Sequence, residues 1–182
     1  MMNTTGEFAI ATLSRSGIQP SVPNMVRSRP TRDMLTTEPR SLPFELHFAD
    51  GQRLRIDLLG SGYEPASFWY VLTRVKHLSK LTGGWDSYGA QPLSARAVRR
   101  ALELLPLLLQ DKAPEPTVVP TRDGGLQFEW HRGGIDFEVT CRPTGAVSCY
   151  YADVKTGEEH EWDDSVGRQA IHNVLGSLAQ VA

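Results

Sequence analysis

The fold is decided by residues 126–141, LQFEWHRGGIDFEVTC, in which apolar side chains alternate with polar ones on both sides of a Gly-Gly pair. A period of two is typical of a β-strand that buries one of its faces. Gly133-Gly134 can adopt the positive φ angles that a tight turn requires. The stretch therefore predicts an antiparallel hairpin, whose apolar face consists of Leu126, Phe128, Trp130, Ile135, Phe137, Val139 and Cys141.

The same alternation continues on both sides of this hairpin. Residues 117–120 form a short candidate strand before the turn signal Asp123-Gly124-Gly125, and Gly145 turns the chain into a further strand over residues 147–151. Near the start of the folded part, residues 44–58 alternate around Asp50-Gly51, a dipeptide that favours hairpin turns. We therefore expect an N-terminal hairpin and a C-terminal meander.

Three segments have apolar residues at helical spacing. The first spans about residues 65–82, and the second follows Pro92 with Ser94 as its N-cap. Pro106 lacks a backbone donor, so we expect it to kink or end the second helix. The last helix is expected to start near Asp163 or Asp164. The predicted class is α+β: an antiparallel sheet, made of the hairpin plus the meander, packed against about three helices on one face.

Residues 1–42 differ from the rest and predict a flexible arm rich in Arg, Ser and Pro. The arm has five Arg against three acidic residues, whereas the whole chain of 182 residues has a net charge of −2. Such a segment cannot bury enough apolar surface to offset its ordering entropy. It is either a solvated tail or an arm for an acidic partner, and residues 43–182 are predicted to form a single α+β domain.

Composition limits the classes of function. The acidic balance argues against a protein devoted to nucleic-acid binding, and no apolar run is long enough to span a membrane. We therefore expect a cytoplasmic protein in which Cys141 and Cys149 remain thiols. The standard nucleophile, phosphate-loop and zinc-protease motifs are missing, so no catalytic residue, metal or cofactor is predicted.

The most unusual segment is loop 83–92, GGWDSYGAQP, which joins the first two helices. One interpretation is a binding loop in which Trp85 offers a stacking face and Asp86, Ser87 and Tyr88 offer polar contacts. The other interpretation is a folded connector in which Trp85 fills the core and Asp86 caps a backbone turn. Solvent exposure of Trp85, Asp86 and Tyr88 distinguishes the two.

Two motifs carry a resemblance to a known group of proteins. Residues 84–90, GWDSYGA, are followed by residues 120–130, PTRDGGLQFEW. The chain thereby resembles a family of short uncharacterised bacterial proteins that share a GWDSYGA loop and a P-x-x-DGG-x-Q-x-EW strand. The resemblance covers about residues 64–155. It implies a bacterial accessory protein, and it implies no activity, cofactor or catalytic residue.

A second candidate set lies on the polar face of the predicted meander. If the hairpin is centred on Gly133-Gly134, Glu129 lies opposite Glu138 and His131 lies opposite Asp136. Carboxylates around a histidine can hold a divalent metal or act in acid–base chemistry. Equally, charged cross-strand pairs are common on a solvated sheet face.

An acidic segment precedes the last helix. Residues 158–164 contain six acidic or histidine side chains around Trp162. We expect a solvated loop that leads into the helix N-terminus, although such a segment can also bind a cation or a basic partner.

Three functional hypotheses follow. The first is a small accessory protein, antitoxin- or immunity-like, that acts as a non-catalytic binding module for a protein partner through Trp85, Asp86, Ser87, Tyr88, Glu129 and His131. The alternative is a metal-dependent hydrolase that uses the carboxylate/His face or loop 83–92. Nucleic-acid binding through the arm and Arg96, Arg99 and Arg100 is the third.

Overall fold

The computed structural model describes residues 42–58, 66–110, 112–163 and 167–180. Residues 1–41, which make up nearly all of the predicted arm, lie outside the described residues. The elements in chain order are β1 (Leu42–His47), β2 (Arg53–Leu58), α1 (Ala66–Leu78), α2 (Ala95–Leu108), β3 (Thr117–Pro120), β4 (Leu126–Arg132), β5 (Ile135–Cys141), β6 (Val147–Asp153), β7 (Glu158–Trp162) and α3 (Gly167–Leu178).

The strands form two antiparallel sheets, which confirms the predicted α+β class but corrects the expectation that the hairpin and the meander share one sheet. β1 and β2 pair as a separate hairpin, and the other five strands form a meander in the order β3-β4-β5-β6-β7. The predicted register of the central hairpin is also confirmed, because Glu129 pairs with Glu138 and His131 pairs with Asp136.

The apolar face of the meander lies in the core. Leu126, Phe128, Phe137 and Val139 are fully buried, and Trp130 is almost so. They join one cluster with apolar side chains from all three helices and from the β1–β2 hairpin. The helices therefore cover the apolar face of the five-stranded sheet, as the alternation predicts.

Helix α1 contacts both sheets. The Nζ atom of Lys76 lies 5.3 Å from the ring centroid of Phe44 on β1. On the other side, Arg74 Nε donates a hydrogen bond to the carbonyl oxygen of Val118 on β3, at 3.0 Å. Because β3 is an edge strand, this contact occupies a backbone acceptor of the sheet edge.

Helix α2 does not end at Pro106 itself but continues for two more residues, whereas the predicted kink there stays a prediction. The helix ends at Leu108, and the backbone N–H of Leu109 still donates to the carbonyl of Leu105 at 2.8 Å. Pro106 lies in the last turn and is exposed, so only one helical hydrogen bond is lost there. The burial of Leu104, Leu105 and Leu108 outweighs that loss.

The acidic segment before the last helix is also not the predicted loop. Residues 158–162 form strand β7, which pairs antiparallel with β6 from Cys149↔Trp162 to Asp153↔Glu158. The last helix, α3, is described over Gly167–Leu178, and residues 164–166, which include the proposed N-cap Asp164, lie outside the described residues, so the predicted start near Asp163 or Asp164 stays a prediction. Cys141 and Cys149 are both buried thiols.

Candidate functional site

Asp86 fixes the backbone of loop 83–92. Its Oδ1 atom accepts hydrogen bonds from the backbone N–H groups of Tyr88 (2.8 Å) and Ala90 (3.0 Å). The Ala90 N–H, followed by the Tyr88 N–H and the Arg122 guanidinium, holds the pKa of the Asp86 carboxyl below its ordinary value. The turn-capping role that we considered for Asp86 is therefore what the structure shows.

The loop is closed on itself by its own backbone. The N–H of Gly84 donates to the carbonyl of Ala90 at 2.7 Å, and Trp85 Nε1 donates to the carbonyl of Gln91 at 3.2 Å. Gly84, Ser87 and Gly89 have positive φ angles of 76°, 64° and 86°. Ser87 thus takes part in the loop through a backbone conformation that few non-glycine residues adopt.

The loop also docks onto the turn at residues 121–125, between β3 and β4. The Gln91 N–H donates to the carbonyl of Arg122 and the Ser94 N–H donates to the carbonyl of Gly124, both at 2.8 Å. The approach is close enough that a Cβ atom on Gly124 would lie 2.5 Å from the Pro92 carbonyl oxygen. The two motifs quoted above, about thirty residues apart in sequence, therefore form one structural unit.

Arg122 links this unit on its outer side. Its Nε donates to Asp86 Oδ2 at 2.9 Å, and its Nη2 donates to the carbonyl of Tyr88 at 3.1 Å. The centre of its guanidinium lies 6.0 Å from the centroid of the Tyr88 ring. Arg122 occupies a variable position of the P-x-x-DGG motif, and no local pattern could have identified it, because its partners come from loop 83–92.

The predicted residues of loop 83–92 differ in their exposure to solvent. The Tyr88 residue is 81% exposed, whereas the side chain of Asp86 is 14% exposed and Trp85 is half-buried. The side chain of Arg122 is 70% exposed. Asp86 and Trp85 therefore shape the loop, and Tyr88 and Arg122 form its outer surface. We call these two residues the Tyr88–Arg122 surface.

The second predicted set lies on the polar face of the meander. His131 Nδ1 is 2.7 Å from Asp136 Oδ1, and its Nε2 is 3.7 Å from Glu129 Oε2. The hydrogen bond that His131 donates to the Asp136 carboxylate raises the pKa of His131. Burial, and then the negative charge of Glu129, raise the pKa of the Glu138 carboxyl. These are the contacts of charged cross-strand pairs on a partly exposed sheet face.

The structure does not bring the two predicted sets together. Loop 83–92 contacts the turn at the start of β4, whereas His131 lies near the end of that strand. Five strand positions separate Leu126 from His131, which is about 17 Å. Over the ranges that the structure describes, no group of three or more His, Cys, Asp or Glu side chains is placed to hold a metal ion.

Two of the three arginines proposed for nucleic-acid binding have partners within the protein. Arg96 Nη1 donates to the carbonyl of Thr144 at 3.5 Å, and Arg100 pairs with Glu103 at 3.2 Å. The Nε and Nη2 atoms of Arg99 are buried, without a hydrogen-bond partner among the described residues. Arg99 therefore adds little charge to an exposed patch of the kind that binds phosphates.

Within the described part, every helix is too short or too polar to cross a lipid bilayer.

In comparisons with known proteins, no protein family, curated protein or solved structure matches this chain.

Proposed function

We propose that this protein is a non-catalytic binding module, an accessory protein that contacts a protein partner through the Tyr88–Arg122 surface. The observation that carries the proposal is a large aromatic side chain, 81% exposed, on a loop whose backbone is held by hydrogen bonds on both sides. A tyrosine needed only for packing would be expected to bury its ring.

The residue types support an interface. Tyr and Arg are enriched among the residues that contribute most to protein–protein binding, because they offer large contact area together with hydrogen bonding. A side chain on a preorganised loop also loses less conformational entropy on binding than one on a mobile loop. Asp86 provides that preorganisation by accepting from two loop N–H groups and from Arg122.

The same contacts disfavour the hydrolase alternative at this loop. A general base needs a carboxylate oxygen that is available for a substrate proton and a pKa near the working pH. The Asp86 carboxyl instead accepts three hydrogen bonds, and its pKa is lowered, first by the Ala90 N–H. Asp86 therefore supports the binding surface by positioning it.

Site-specific photo-crosslinking tests the proposal. A photoreactive phenylalanine analogue would replace Tyr88 in the full chain, and crosslinking would be carried out in cells of the source organism. Tyr70 offers a matched control, since it is a tyrosine on α1 that is 39% exposed. We expect a discrete adduct from position 88 that is absent from position 70 and is lost when Arg122 is also changed to Ala.

The proposal fails if positions 88 and 70 give the same adducts, or if neither gives any. It also fails if the Arg122→Ala change leaves the adduct at position 88 at full yield. Circular dichroism of each variant confirms that the fold is retained, so that a lost adduct reports on the surface.

A further inference from the structure

The outer edge of β7 is a second surface to which a partner could bind. β7 is the last strand in the meander, and no other strand in the described ranges pairs with it on its outer side. In an antiparallel sheet, alternate N–H and C=O groups of an edge strand point away from the sheet. The other edge differs, because Arg74 of α1 occupies a carbonyl of β3.

The two faces of β7 have different chemistry. On the side that faces α3, the rings of His160 and Trp162 stack at 5.5 Å, and Tyr151 lies 6.1 Å from His160. These rings line an open groove of about 250 Å³, together with Glu158 at one end of β7 and with Asn173, Val174 and Ser177 of α3. On the opposite side, Glu159 and Glu161 are exposed.

Charge determines which strand this edge can accept. Residues 153–163 contain five acidic side chains and one lysine. Pairing of β7 with β7 of a second copy would bring these carboxylates together, and like charges across strands are destabilising. A basic segment is instead attracted to these carboxylates. Its apolar side chains would pack into the groove on the other face of β7.

We infer that the outer edge of β7 accepts, as a sixth strand, an extended segment of a partner protein in which basic and apolar side chains alternate. The basic side chains lie beside Glu159 and Glu161, and the apolar ones lie in the groove beside His160 and Trp162. Backbone hydrogen bonds supply affinity, and the two faces supply specificity, as in other cases of strand addition. This inference is independent of the Tyr88–Arg122 surface.

Fluorescence anisotropy with a labelled peptide, Arg-Val-Arg-Val-Arg-Val-Arg, tests the inference on the full chain. We expect saturable binding that weakens with salt, because part of the attraction is between exposed charges. The Glu159→Gln/Glu161→Gln variant should bind about tenfold more weakly, since it removes two cross-strand charge pairs. The control Glu45→Gln/Glu115→Gln makes the same change of net charge at exposed positions outside β7, and should change the Kd by less than about twofold.

Backbone chemistry separates strand addition from simple charge attraction. Two further peptides would carry N-methyl groups on all Val or on all Arg residues. Because an added strand directs alternate N–H groups toward β7, one of the two should lose binding and the other should retain it.

The inference is overturned if both N-methylated peptides bind as tightly as the parent, or if the β7 and control variants behave alike. It is also overturned if the free protein is a dimer that the peptide dissociates, because the edge would then belong to a second copy of the chain.

Discussion

Replacing Gly124 by alanine should loosen the contact between loop 83–92 and the turn at residues 121–125. Gly124 has a φ of +91°, and a Cβ there would lie 2.5 Å from the carbonyl oxygen of Pro92, about 1 Å inside the 3.4 Å at which ordinary contact begins. The atom that it meets belongs to the backbone, so the loop itself must move. The Ser94 N–H to Gly124 carbonyl bond, 2.8 Å long, would lengthen with it.

The expected loss of unfolding free energy in Gly124→Ala has two parts. A positive φ costs an L-residue about 1–2 kcal/mol, and forcing a methyl group into an occupied space costs about 1–3 kcal/mol. We therefore expect Gly124→Ala to lower the free energy of unfolding by about 3 kcal/mol. Gly51 provides a matched control, because its φ is +83° but a Cβ there would meet no atom within 4 Å. Gly51→Ala should cost only the first part, about 1 kcal/mol.

Urea unfolding followed by tryptophan fluorescence measures both variants against the unmodified protein. The expected result is a lower midpoint for Gly124→Ala than for Gly51→Ala, with an unchanged dependence on urea concentration. Equal losses in the two variants would refute the argument, because the steric contact with Pro92 would then contribute nothing.

The remaining predictions concern titration. The pKa of Asp86 is lowered, chiefly by the Ala90 N–H. The ionised Asp86 carboxylate therefore stabilises the folded state above the unfolded-state pKa, and this stabilisation is lost as pH falls through the folded-state pKa. The difference in urea midpoint between the unmodified protein and Asp86→Asn should therefore narrow in acid, and a constant difference would contradict this. The pKa of His131 is raised, chiefly by Asp136, so its pairing stabilises the fold below the unfolded-state pKa and is lost as pH rises through the folded-state pKa. Asp136→Asn should lower the pKa of His131 in an NMR titration, and an unchanged pKa would show that the hydrogen bond is not its cause.

Local patterns predicted most of the fold because the meander is built from local pairs. Each strand from β3 to β6 is followed in sequence by its neighbour, so alternation and the glycine turns were enough to predict the register of His131 with Asp136. The same patterns missed β7, since Glu158-Glu159-His160-Glu161 has no apolar alternation. That segment is a strand because the free edge of β6 offers it backbone partners.

The candidate site was only partly predictable. Loop 83–92 was recognisable from its composition, and a capping role for Asp86 was one of the two interpretations considered. The participation of Arg122 was not recognisable, because its contacts with Asp86 and Tyr88 join residues that are more than thirty positions apart.

The sequence by itself determined the α+β class, the buried face of the meander and the cross-strand pairs around Gly133-Gly134, because side-chain period and turn residues act over a few positions. Tertiary structure alone decided that Asp86 is enclosed while Tyr88 projects, and that β7 presents an acidic outer edge. Those outcomes depend on which distant segments pack against each other, and packing free energy is a property of the assembled chain rather than of any local pattern.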